Sequence, residues 1–103
     1  MASGVQAASK PGANSWTDLF TASTPIVINV SACNRAGSTT DVSMAVTPQG
    51  ASRGTEHEIE SGTDVLTTSV IERTGIVLGT GDKLSVTSAN GDVAFVCWGV
   101  ELG

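Results

Sequence analysis

The sequence predicts an all-β protein: an antiparallel β-sandwich or jelly-roll-like barrel with an extended N-terminal arm. Three observations carry that expectation. Gly, Ser, Thr, Ala and Val dominate the 103 residues, aromatics are 4% and Tyr is absent, a mixture suited to short strands and tight turns rather than long helices. Apolar and polar residues alternate over several segments. Turn signals recur roughly every 8–12 residues. The length fits one domain and not comfortably two. The expected organisation is a flexible arm over residues 1–15 and a single β-sandwich domain over 16–103.

The first segment, MASGVQAASKPGANS, is small and polar, with Pro11 and Gly12. It reads as an extended arm or a disordered tail, and in an assembly such a segment often lies across a neighbour. SWTDLFTAS (15–23) reads as one helical turn capped by Ser15, with Asp18 near its positive end, or equally as a short strand. Trp16, Leu19 and Phe20 make it a lid on the core.

Strands begin at Pro25, a residue tolerated at a strand start. Ile26, Ile28, Val30 and Ala32 share one face, and Val27, Asn29, Ser31 and Cys33 the other. NRAGSTT (34–40) supplies turn chemistry, with Gly37 available for positive φ. In DVSMAVTPQ (41–49), Val42, Met44 and Val46 are expected to point inward, and Asp41, Ser43, Ala45 and Thr47 outward. These two segments are expected to pair as a hairpin. GASRGTEHEIESGT (50–63) reads as a polar loop with a weak strand around Glu56–Glu60. Further strands are expected near 64–72, 82–88 and 92–102, with a short segment at 75–78. Asn90-Gly91 predicts a hairpin with a type I′ turn.

The last strand differs from the rest. Val93, Phe95 and Cys97 share one face, while Ala94, Val96, Trp98, Val100 and Leu102 share the other. A strand with one wet face alternates with polar residues, so this one is expected to be covered twice. Its own core covers one face; the N-terminal lid or another subunit covers the other. Trp16, Val96, Trp98 and Val100 are therefore the candidate assembly contacts, together with the arm.

Several function classes are disfavoured. Net charge is −5, and Lys10, Arg35, Arg53, Arg73 and Lys83 are scattered. Direct nucleic-acid binding needs a basic stripe that releases counterions from phosphates. Charged residues are only 15%, which suits a surface that becomes covered. No apolar stretch reaches the roughly 18 residues of a membrane span, and the first residues lack the pattern of a secretory signal. Synthesis in a cytosol is the expectation. Cys33 and Cys97 read as buried thiols in a reducing compartment, or else as a cross-strand disulfide.

No catalytic constellation emerges. In TEHEIE, a strand puts Glu56, Glu58 and Glu60 on one face and His57 on the other, which gathers no metal site. His57 is the only histidine available as a base for Ser, Thr or Cys, and no nucleophile elbow is present. GTGDKL (79–84) lacks the Gly-Lys-Ser/Thr ending of a phosphate loop. Neither enzymatic activity nor a cofactor is expected. For a sugar platform only Trp16 qualifies, because Trp98 lies in the most apolar strand and is expected to be buried.

VSACNRAGSTTDVSMAVTPQGAS, followed by GIVLGTGDKLSVTSANGDVAFVCWGVEL, resembles a pattern in small virion structural proteins of tailed bacteriophages. There a strand ends in Cys-Asn-Arg, a short turn follows, and a final strand carries Phe-x-x-x-Gly-x-Glu. The likeness covers roughly residues 20–102. It implies a β-sandwich virion component that decorates or cements a capsid, or one of tail, collar or fibre attachments. A glycan-binding module on the particle is the third expectation. The implied partner is the major capsid protein or another virion subunit, with a homotrimer as the expected oligomer, assembled in the host cytoplasm. Cys33, Asn34 and Arg35 match the Cys-Asn-Arg, and Asn34 and Arg35 are expected to order the turn by bonding backbone carbonyls.

Overall fold

Eight strands follow one another along the chain: β1 (Ser3–Ser9), β2 (Thr17–Thr21), β3 (Ile26–Asn34), β4 (Thr40–Thr47), β5 (Glu58–Val65), β6 (Val70–Leu78), β7 (Lys83–Ser88) and β8 (Val93–Glu101). One 3-10 turn, Thr55–His57, precedes β5. This computed structural model describes residues 3–102. The strands form two antiparallel sheets of four, ordered β1-β8-β3-β6 and β2-β7-β4-β5.

The pairing follows one rule. β1 pairs with β8, β2 with β7, β3 with β6 and β4 with β5. The chain is thus a long antiparallel ribbon whose tip is the 48–57 loop. The ribbon is rolled so that successive pairs fall in alternate sheets, which is the eight-stranded jelly roll. Lateral pairings of β3 with β8 and β4 with β7 fasten one turn of the roll to the next. The all-β sandwich expected from the sequence is the observed fold.

Alternation explains the core. Ile26, Ile28, Val30 and Ala32 of β3, Val93, Phe95 and Cys97 of β8, and Leu78 of β6 face inward from one sheet. Val42 and Met44 of β4, Leu84 and Val86 of β7, Leu19 of β2 and Val65 of β5 meet them from the other. Phe95 is the largest fully buried side chain.

The structure departs from the sequence reading in four places. The segment taken as an arm supplies β1, hydrogen-bonded to β8 from Ser3 to Ser9, so the sandwich begins well before residue 16. Its Ala, Ser and Gly residues are poor strand formers, and the waiting edge of β8 decides its conformation. β3 and β4 do not pair; they lie in opposite sheets. β7 and β8 are separated in the same way, so Asn90-Gly91 turns the chain between sheets. Of those two residues only Gly91 takes positive φ, at 73°, whereas a type I′ turn needs it at both. Finally, the segment read as one strand over 64–72 breaks at Leu66–Ser69, where Ser69 N–H closes a turn on Leu66 O; residues 75–78 belong to β6.

Every pairing that involves an edge strand carries a register shift. The shifts fall at Val5/Ala7 in β1, Asp18/Phe20 in β2, opposite Ile28/Val30 for β6, and opposite Val42/Met44 and Met44/Ala45 for β5. The two central pairings carry none. Bulges of this kind twist an edge away from further strands and deter sheet-to-sheet addition.

On the open side, between β5 and β6, a charged clamp closes the sandwich. Arg73 Nη1 donates to Glu60 Oε2 at 2.7 Å and to Ile59 O at 3.0 Å, while Thr63 Oγ1 donates to Glu60 Oε1 at 2.5 Å. The Thr63 hydroxyl, then Arg73, hold the Glu60 carboxyl below its ordinary value of 4.5 against a smaller effect of burial. A depressed carboxyl stabilises the fold above its unfolded pKa, and the contribution is lost as pH falls through the folded pKa. Glu60→Gln is therefore expected to lower the melting temperature at neutral pH and to flatten its decline below about pH 4.5. An unchanged acid limb in the variant would assign that decline to other groups.

Candidate assembly surface

The side chains of a strand point alternately to the two faces of its sheet, so the register fixes what the outer face of β1-β8-β3-β6 presents. Four rows cross it: Ser3, Val100, Val27 and Val77; Val5, Trp98 and Asn29; Ala8, Val96, Ser31 and Glu72; and Ala94, Cys33 and Val70. Glu72 is the only ionisable carboxylate or base in these rows. Val5, Val77 and Val100 are 73%, 65% and 58% exposed. No described residue lies over them.

Three of the four candidate contacts come together here. Val96 and Trp98 are half-buried by their neighbours within the sheet, and Val100 is exposed. Trp98 is thus not a core residue; the core side of β8 belongs to Phe95 and Cys97. Trp16 lies elsewhere, just before β2 in the other sheet, with the Arg53 guanidinium 3.8 Å from its ring centroid. That cation–π contact occupies one face of the ring. Val5, Val27 and Val77 complete the patch and escape a reading of the sequence. They come from three strands far apart in the chain, and only the outward position of Val27 hints at them.

The opposite outer face is dressed by the protein itself. Register puts Ala45, Thr47 and Ser85 on the outside of β2-β7-β4-β5, yet all three are buried. Asp18 of β2 caps Ser85, accepting from its Oγ at 2.7 Å. The 48–57 loop packs on β4 here through its 3-10 turn, its Arg53 reaches Trp16, and Gln49 N–H is held by Asp82 Oδ1 at 3.0 Å. His57 is structural here: its Nδ1 accepts from Gly54 N–H at 2.9 Å, closing the turn.

At one end of the sandwich Asn34 is fully buried. Its Nδ2 donates to Ser38 O and Val65 O, both at 2.9 Å, and its Oδ1 accepts from Ala36 N–H at 2.9 Å. The β3–β4 loop and the end of β5 are tied through this one amide. Arg35 does something different from the expectation. Among the described residues its side chain bonds no carbonyl; Nη1 meets Asp92 Oδ1 at 3.2 Å, where Lys10 Nζ also lies at 3.3 Å. A carboxylate within reach is the better acceptor for a guanidinium.

Cys33 faces outward and Cys97 inward on neighbouring strands, and both are free thiols. A cross-strand disulfide is excluded, because the two side chains leave opposite faces of one sheet. Burial pushes the Cys97 thiol up, against a smaller opposing effect of a backbone hydrogen bond from Ala7.

Among the described residues no three of His, Cys, Asp and Glu gather as metal ligands, and no pocket opens. What the apolar face offers is surface that gains free energy on leaving water, roughly 25 cal/mol per Å² before the costs of association. No protein-family model matches the chain, and neither does any curated protein or solved structure compared with it.

Proposed function

We propose that this protein is a structural subunit of a bacteriophage virion, most specifically a capsid decoration or cement protein that acts by contact rather than by chemistry. The observation that supports the reading is the asymmetry of the two outer faces. One is part buried at Ala45, Thr47 and Ser85 and exposes carboxylates, Asp18, Asp41 and Asp64, elsewhere; the other, bearing Val96, Trp98 and Val100, is apolar and bare. Monomeric soluble proteins rarely leave such a patch unless a partner covers it. The Cys33-Asn34-Arg35 strand end and the final Phe-x-x-x-Gly-x-Glu strand supply the virion part of the reading by resemblance. The jelly roll is compatible with it but hosts several functions, so the fold alone does not decide.

Copy number in purified particles is the test. Hundreds of copies accord with decoration of a capsid lattice, a dozen or fewer with a tail, collar or fibre attachment, and absence from particles ends the virion reading. A glycan platform is less well supported, since Arg53 covers one face of Trp16 and the amide opposite Trp98 on β3, Asn29, already holds Gly75 N–H at 3.0 Å.

Trp98→Ala separates assembly from folding. The side chain is half-buried outside the core, so the isolated variant is expected to lose about 1 kcal/mol or less while its occupancy on particles falls at least about tenfold. Melting that collapses in the isolated variant would place Trp98 back in the core.

A further inference from the structure

We propose that the bare face of β1-β8-β3-β6 packs against the same face of a second copy of this chain, forming a two-fold dimer. This rests on the assembly reading and names the partner that covers the patch.

Charge points to a like partner. The chain carries −5 overall, so two copies repel wherever their carboxylates approach. The four rows of this face hold one carboxylate, Glu72, on the edge strand β6. Apposing these faces keeps most of the charge of both copies away from the contact. A partner chosen by opposite charge would find only Glu72, at the edge of the face, to pair with.

Size is sufficient. Four strands at about 4.8 Å spacing span about 19 Å, and the nine residues of β8 run about 30 Å. Two such faces amount to about 1,100 Å², above the roughly 1,000 Å² that a specific interface needs. Aligned sheets pack face to face about 10 Å apart with interdigitated side chains. Valine and one tryptophan suit that spacing.

The edges close the alternative route. Register shifts in β1, β2, β5 and β6 disfavour association by strand addition. Contact through the face is also isologous, so it stops at two copies instead of growing.

The experiment is sedimentation of the full chain over a concentration series, beside Val5→Lys/Val100→Lys, with alkylation of Cys33 by a maleimide as a second readout. Both valines are exposed, so the variant should keep its fold; if it does not melt cooperatively, Val77→Lys takes its place. Cys33 lies within the face and Cys97 beneath it. The expected result is a wild-type dimer, dissociation at least about tenfold easier in the variant, and slower Cys33 alkylation in the wild type. A wild-type dimer whose Cys33 reacts as fast as the variant's overturns the proposal, because the dimer then uses another surface. A monomeric wild type that binds particles, and loses that binding on Val5→Lys/Val100→Lys, overturns the dimer while leaving the assembly reading in place. A monomer with no affinity for particles overturns both.

Discussion

Asn34→Ala is expected to lower the melting temperature of the isolated protein by roughly 15–30 °C, the equivalent of about 3–5 kcal/mol. The side chain is fully buried and makes three hydrogen bonds, all to backbone groups. Alanine leaves the carbonyls of Ser38 and Val65 and the amide of Ala36 without that partner. Each buried polar group left unpaired costs about 1–3 kcal/mol. The penalty is large against a total stability of about 5–15 kcal/mol for a domain of this kind. Asn34→Asp sharpens the test. It keeps the shape and the acceptor but turns a carboxylate toward two carbonyl oxygens, so at neutral pH it should destabilise at least as much as alanine. Thermal melts of both variants decide the matter. A drop of less than about 5 °C in each would show that water replaces the amide at little cost.

Gly99→Ala carries the second large effect. A Cβ at this position would overlap the Val27 carbonyl oxygen and come within 2.9 Å of Ile28 Cα. Both obstacles are backbone of β3, the strand on which β8 is laid without a register break. Neither can rotate aside as a side chain would. To admit one methyl group, β8 and β3 must separate or shear in the middle of a sheet. We expect a loss of more than about 3 kcal/mol, or insoluble protein, from overpacking at a site that cannot relax. Gly37→Ala is the control: nothing lies within 4 Å of a Cβ there, and its φ is not positive. It should change stability by no more than about 0.5 kcal/mol. A Gly99→Ala melt as mild as the control's would mean that the two strands give way easily.

Much of the fold is legible in the chain because period-two alternation is physically strict. It puts Ile26, Ile28, Val30 and Ala32 inside and Val96, Trp98 and Val100 outside, which is where they lie. Alternation reports the face on which a side chain sits, not the sheet to which its strand belongs. A short polar turn serves a hairpin or a crossing between sheets equally well. That is why the β3–β4 and β7–β8 connections were indistinguishable from hairpins. The break at Leu66–Ser69 was hidden for another reason. It contains no Gly or Pro, and Thr68 adopts a φ of 58° that β-branched residues rarely take. Two backbone bonds with Asn34 fix this turn from outside: Thr68 N–H reaches Asn34 O, and Asn34 N–H reaches Ser69 O. The candidate surface was half visible. The doubly apolar β8 announces a covered strand, but Val5 and Val77 join it only through pairing across the chain. Trp16 lies apart from that face, with Arg53 over its ring, because large apolar size alone does not say which surface a side chain joins.

The rolled ribbon also sets an order of assembly for a single chain. Its nested pairs close progressively larger loops, from β4 with β5 out to β1 with β8. Closing a loop costs more entropy the longer it is, so structure is favoured to zip outward from the tip. During synthesis the earliest strand to emerge must wait for the latest, and until then its prospective partner does not exist. Such non-local wiring places folding among the slower, millisecond-to-second class, and the apolar residues of β8 leave the ribosome after every other strand of the sandwich.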